Sequence, residues 1–153
     1  NLLLLRTFSK IFAGASLRFG YLLGDIRLIQ TIKKLHLPYN LNLFSICAVK
    51  KILKNKKILE YFHTQNRVVV EERDKLFLNL KKIENNLFTV YPSEANFLMI
   101  RGKTEEAFSE LKERLLAANI QVRDVSRTPK LARCLRITVS TAQRNNILLR
   151  SFT

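Results

Sequence analysis

Arg6-Thr7-Phe8-Ser9-Lys10 places a primary amine beside two hydroxyls, and Arg18 follows eight residues after the lysine in Leu17-Arg18-Phe19-Gly20-Tyr21. These residue types suit a pyridoxal phosphate (PLP) site. That chemistry needs an amine able to form a Schiff base with the cofactor aldehyde. It also needs groups for the cofactor's phosphate, which the hydroxyls of Thr7 and Ser9 and the guanidinium of Arg18 can supply. The plain alternative is a strand ending in Thr-Phe-Ser-Lys with an unrelated arginine downstream, since short motifs recur by chance.

A second candidate lies far along the chain. In Leu135-Arg136-Ile137-Thr138-Val139 the side chains alternate, so Arg136 and Thr138 share one strand face and the apolar residues the other. An arginine in such a strand must meet an anion or water. Arg123 stands thirteen residues earlier in Val122-Arg123-Asp124. Read alone, both arginines also fit a half-exposed strand surface.

The elements that must hold these residues can be sketched from pattern. Residues 2–6 read as a buried strand entering the Lys10 loop, and Phe19–Leu23 as the next strand, closed by the turn signal Gly24-Asp25. A short helix is expected over Ile26–Leu35, broken by Pro38-Tyr39-Asn40. A helix from about Asn42 to Lys54 carries Leu43, Ile46, Cys47, Val49 and Leu53 on its apolar side. A longer helix, about Lys57 to Asn85, has the look of a connecting helix between two lobes. Strands are expected at Leu87–Val90, Ala95–Arg101, Ile120–Arg123 and Leu135–Val139. Between them, Thr104 should cap a helix with Glu105 and Glu106 in its first turn and Asn119 near its end. Thr141 starts a terminal helix.

Composition narrows the function classes. The chain has 153 residues, 47% hydrophobic and 25% charged, a globular balance. No apolar run reaches spanning length, and Leu2–Leu5 are too few for a signal core, so no membrane role is expected. The opening strand reads as the middle of a larger fold. Cys47 and Cys134 lie apart from His36 and His63, so no metal site is expected, and the cysteines read as small core residues in a reducing, cytoplasmic setting. The net charge of +15 raises the question of nucleic acid. Yet Lys50, Lys51, Lys54, Lys56 and Lys57 alternate with Ile52, Leu53, Ile58 and Leu59 at helical spacing, which describes a solvated helix face. No nucleic-acid partner is expected.

The longer strings carry a family likeness. Leu5–Lys10, Phe12-Ala13-Gly14 and Leu17–Tyr21 together resemble the PLP-lysine region of aminotransferases with the aspartate-aminotransferase fold, and within it the histidinol-phosphate aminotransferases. Pro92-Ser93-Glu94-Ala95-Asn96-Phe97, Val122-Arg123-Asp124-Val125-Ser126 and Cys134–Val139 are similar to that family's C-terminal blocks, in the same order.

The resemblance implies an α/β fold, the C-terminal part of fold type I. Residues 1–40 would end the large PLP-binding domain, 41–86 would form connecting helices, and 87–153 a small α/β domain. It implies Lys10 as the catalytic, cofactor-bearing lysine, with Thr7, Ser9 and Arg18 at the phosphate. Arg123 and Arg136 would bind the substrate's acidic groups, and Asn96 would line the site or serve only a strand-entry hydrogen bond. The implied reaction moves an amino group between histidinol phosphate and 2-oxoglutarate, giving L-glutamate, in a homodimer. Related implied readings are an aromatic aminotransferase, a threonine-phosphate decarboxylase or a non-catalytic remnant. Three positions depart from the family pattern: Ile11 after the lysine, expected to crowd the backbone there, Ser16, and Ser140 after Arg-Ile-Thr-Val. No segment resembles the family's phosphate loop, its ring-stacking aromatic, or the aspartate that pairs with the pyridine nitrogen.

Overall fold

Strand alternation and helical spacing build two compact units, Asn1–Asn66 and Arg67–Thr153. The computed structural model describes residues 2–152.

In the first unit, β1 (Leu3–Thr7) pairs antiparallel with β2 (Gly20–Gly24), in a register that sets Thr7 opposite Gly20. Residues 8–19 connect them and contain a one-turn 3-10 helix, Ala15–Leu17. Helix α1 (Ile26–Lys33) packs on β2. Asp25, expected as a turn signal, is its N-cap, its carboxylate accepting the Arg27 N–H at 2.9 Å. Helix α2 (Leu43–Lys54) is capped by Asn42, whose side-chain oxygen accepts the Ser45 N–H at 2.8 Å. At Asn55 the backbone turns extended, which separates α2 from the long α3 (Lys56–Lys82).

Two expectations fail here. The opening strand is not buried: β1 is exposed throughout, with Leu2 and Leu5 about three-quarters accessible (76% and 75%). The ribbon has only these two strands, Leu5 and α1 residues Ile29 and Ile32 lining an open pocket beside it, and two-stranded ribbons are marginal alone. Cys47 is exposed rather than core, because α2 buries the line Ser45–Val49, four residues apart, and turns Cys47 outward.

The second unit is a four-stranded antiparallel sheet in the order β3-β4-β6-β5. Its strands are β3 (Phe88–Tyr91), β4 (Phe97–Gly102), β5 (Arg123–Asp124) and β6 (Cys134–Thr138). Leu98, Ile100, Leu135 and Ile137 point to one face, where they meet Leu76 and Leu80 of α3, Phe108, Leu111 and Leu115 of α4 (Glu105–Ala117), and Leu148 of α5 (Ala142–Arg150). Gly102 permits α4 to cross close to β4, since a Cβ there would lie 2.7 Å from Phe108 Cα.

Helix α4 starts as expected, with Thr104 Oγ1 accepting the Ala107 N–H at 3.1 Å. Its end explains why no strand begins at Ile120. Asn119 adopts φ 55°, and the N–H groups of Asn119 and Ile120 return to the carbonyls of Leu116 and Leu115 at 2.9 and 2.8 Å. Both bonds belong to a left-handed helix stop. Ile120 is thus spent on closing α4, and pairing with β6 starts only at Arg123.

Candidate active site

The Lys10 loop is held by aromatic packing and backbone bonds. Phe8 is 3% exposed. It stacks on Phe12 with ring centroids 4.5 Å apart and meets Phe19 edge-on at 5.3 Å, and Phe12 in turn meets Phe62 of α3 at 5.4 Å. The Phe8 N–H donates to the Phe19 carbonyl at 3.1 Å, and the Gly14 N–H to the Phe8 carbonyl at 2.9 Å. A Cβ on Gly14 would sit 3.0 Å from that same carbonyl oxygen, so the turn is built around a residue without one. Ser45 of α2, 2% exposed, donates its hydroxyl to the Leu17 carbonyl at 2.6 Å. That bond fixes the residue just before Arg18. Neither the aromatic hub nor Ser45 was legible as site support from the sequence; a serine four residues from a buried valine is the only trace.

On this frame the Thr7 hydroxyl donates to the Ser9 hydroxyl at 2.9 Å and accepts the Ser9 N–H at 3.0 Å. The two phosphate candidates are therefore paired side by side. Arg18 takes φ 49°, and its guanidinium donates to the Ala15 carbonyl at 3.1 Å. Lys10 is exposed, its carbonyl accepts the Ala13 N–H at 3.0 Å, and its amine has no hydrogen bond or ion pair among the described residues. Ile11, the residue after the lysine, is 48% exposed. Ala13 also sits in the left-handed region, at φ 47°. Two such non-glycine residues in one short loop represent stored backbone strain, which tends to gather at functional sites.

This donor set fits a phosphorylated aldehyde cofactor. Two hydroxyls, a guanidinium and a free amine share one loop, and no Asp or Glu occurs before Asp25 to compete for the cations. Such a set favours a phosphate group.

The second unit brings two of the predicted arginines together. Arg123 and Arg136 are direct cross-strand partners of β5 and β6, so their side chains leave the same sheet face. Arg136 lies over the Phe97 ring, its guanidinium carbon 5.2 Å from the centroid. Both line a cavity of about 550 Å³ between the end of α4, β6 and α5. Asn96 does not line it: its carbonyl accepts the Val139 N–H at 3.0 Å, and the residue is exposed. Arg144, which the sequence did not single out, does line the cavity. Beside it, Asp124 is held below the usual carboxylate range, first by its hydrogen bond with Ser126, and it pairs with Lys112 at 3.9 Å rather than with Arg123.

The α/β architecture, with a lysine loop between antiparallel strands and a small α/β unit, matches part of the fold of fold type I PLP-dependent aminotransferases. The chain belongs to the family described as aminotransferase class I and II, which matches residues 1–152. That family depends on PLP. Among its relatives, the histidinol-phosphate aminotransferase of Ruminiclostridium cellulolyticum is 36% identical over 149 residues, covering 97% of this chain and 39% of the relative. The solved histidinol-phosphate aminotransferase of Clostridium acetobutylicum superposes with TM-score 0.80 at 26% identity, covering 99% of this chain and 42% of that one. A decarboxylase from Sulfurospirillum multivorans superposes with TM-score 0.79 at 26% identity, over 99% of this chain and 42% of its own. The chain spans about two fifths of the length of the curated relatives it matches.

Proposed function

We propose that this chain is the lysine-bearing part of a histidinol-phosphate aminotransferase, moving an amino group between histidinol phosphate and 2-oxoglutarate. The observation that carries the reading is the free Lys10 amine in a carboxylate-free loop beside the bonded Thr7 and Ser9 hydroxyls and Arg18. PLP, when bound, supplies the electron sink for bond changes at the amine-bearing carbon. Thr7 and Ser9 would donate hydroxyl hydrogen bonds to its phosphate, and Arg18 would add the balancing charge. Lys10 Nζ would hold the cofactor, and as a free amine it would take and return a proton as general base. Arg136, braced on Phe97, binds the substrate's terminal anion with Arg123 assisting. Asn96, outside the arginine cavity, serves the strand-entry hydrogen bond, its carbonyl accepting the Val139 N–H at 3.0 Å.

The working form is a cytoplasmic homodimer, as the resemblance implies. Turnover needs the ring-nitrogen aspartate that no segment here resembles, so this chain alone is expected to bind PLP without turning over. A second reading, a decarboxylase acting on a phosphorylated amino acid, is favoured by the equal 26% identity to the Sulfurospirillum decarboxylase. Supplying the family's remaining segment and comparing turnover of histidinol phosphate with that of threonine phosphate separates the two.

The first test is PLP titration of the purified chain, borohydride reduction and peptide mapping. The expected label is confined to Lys10 and lost in Arg18→Ala. Label spread over Lys50–Lys57 and elsewhere would overturn the proposed site.

A further inference from the structure

Some arginines of this protein meet a carboxylate. Arg27 pairs with Asp25, Arg73 with Asp74 and Glu94, Arg114 with Glu110, and Arg133 with Glu105. The arginines of one cavity in the second unit do not. Arg123, Arg136 and Arg144 all line it, and none has an ion pair among the described residues. No Asp or Glu lines the cavity either.

The arrangement is costly without a ligand. Like charges directly opposite on one sheet face are destabilising, and Arg123 and Arg136 are in that relation. Arg144 is the third residue of α5, whose first turn holds no acidic residue. A cation there opposes the positive end of the helix dipole, where acids are favoured. The neutral lining adds donors rather than negative charge. Thr138 lies past the end of two-residue β5, so the edge of β6 is open beside it.

We propose that Arg144 is a third anion-binding residue of the Arg123/Arg136 cavity, and that it sets specificity for a doubly charged, tetrahedral phosphate monoester over a singly charged group. This rests on the anion-binding role proposed above for Arg136 and Arg123. Two guanidiniums suffice to neutralise and fork onto a monoanion. A third gives its attraction in proportion to the ligand's charge. Arg144 therefore contributes about twice as much free energy toward a dianion as toward a monoanion of the same shape.

Methyl phosphate and methyl sulfate form that pair: near pH 8 the first is a dianion (second pKa about 6 for such phosphates) and the second a monoanion. Calorimetric titration of the chain with each, at one fixed salt concentration, reads the difference. In Arg144→Gln the affinity for methyl phosphate should fall about tenfold and that for methyl sulfate only about threefold, the square root, as charge proportionality requires. Arg144→Lys should stay within about threefold of the parent for both. Circular dichroism of each variant keeps a folding defect from passing as a binding defect, and Arg144→Ala, which also removes the charge, carries the comparison should the glutamine variant unfold.

An equal loss for the two ligands in Arg144→Gln, or no loss while Arg136→Gln abolishes binding, would overturn the role of Arg144 and leave that of Arg136 standing. Absence of saturable methyl phosphate binding in the parent chain, or binding untouched by Arg136→Gln, would overturn both.

Discussion

Ala13 and Arg18 hold left-handed backbone conformations at φ 47° and 49°, one on each side of the one-turn helix. Left-handed geometry costs a non-glycine residue roughly 1–2 kcal/mol, offset for glycine by about 0.5–1 kcal/mol of extra chain entropy. Ala13→Gly should therefore stabilise the first unit by about 0.5–1 kcal/mol, seen as a higher urea midpoint with unchanged slope. A lower midpoint would mean that Ala13 does not occupy that region. Arg18→Gly relieves the same strain but deletes the cation, so it should weaken PLP binding without destabilising the fold. At this scale the sequence was informative where chemistry is local. Thr7, Ser9, Lys10 and Arg18 fall within one loop and announce themselves. Arg144 did not, because its role comes from α5 meeting the open end of β6, and a lone arginine in a helix's first turn carries no motif.

At the scale of elements, Glu84 ties the end of α3 to β3. Its carboxylate accepts the Val90 N–H at 3.0 Å and the Lys81 ammonium at 3.0 Å. The Val90 bond first, and Lys81 after it, hold its pKa below the ordinary value of 4.5. A carboxyl lowered on folding contributes stability that is complete above its ordinary value and lost as pH falls through the lowered folded value. Unfolding of the second unit should therefore become easier on acidification below pH 4.5, and Glu84→Gln should remove that part of the pH dependence. The variant keeps an acceptor for the Val90 N–H but loses the charge, so it should cost about 1 kcal/mol at neutral pH, the difference between a charge-assisted and a neutral hydrogen bond. Asn119 makes a parallel case. Asn119→Gly should be neutral or slightly stabilising, whereas Asn119→Val should cost on the order of 1–2 kcal/mol by forcing a branched residue into φ 55°. Thermal unfolding of both variants checks the stop of α4. Asn119 near that stop was readable in advance from composition. The consequence for Ile120 was not, because an apolar residue beside a valine reads equally as strand.

At the scale of the whole chain the two units differ in what they bury. Among the described residues, Phe8 and Val49 are the only buried apolar side chains of the first unit, whereas the second assembles a continuous core from Leu76 to Phe152. Helical and strand periods located both sets of elements, but period reports which face is apolar and not whether anything covers it. That is why β1 read as buried and is exposed. Stability follows buried apolar area at about 25 cal/mol per Å², so amide exchange should be slow in β4, β6 and α4 and fast in β1 and β2. β1 also offers an exposed apolar edge, with Leu3, Leu4 and Leu5, and Leu2 just before it, all accessible. Unpaired, apolar edges recruit other chains. The isolated chain should sediment as species heavier than 17.8 kDa at rising concentration, and Leu5→Lys should shift it toward monomer, since a lysine on an edge strand opposes pairing. The second unit's exchange pattern should be unchanged by that substitution. If Leu5→Lys leaves the association intact, the adhesive surface lies elsewhere, and Phe44 of α2, 87% exposed, is the next residue to replace.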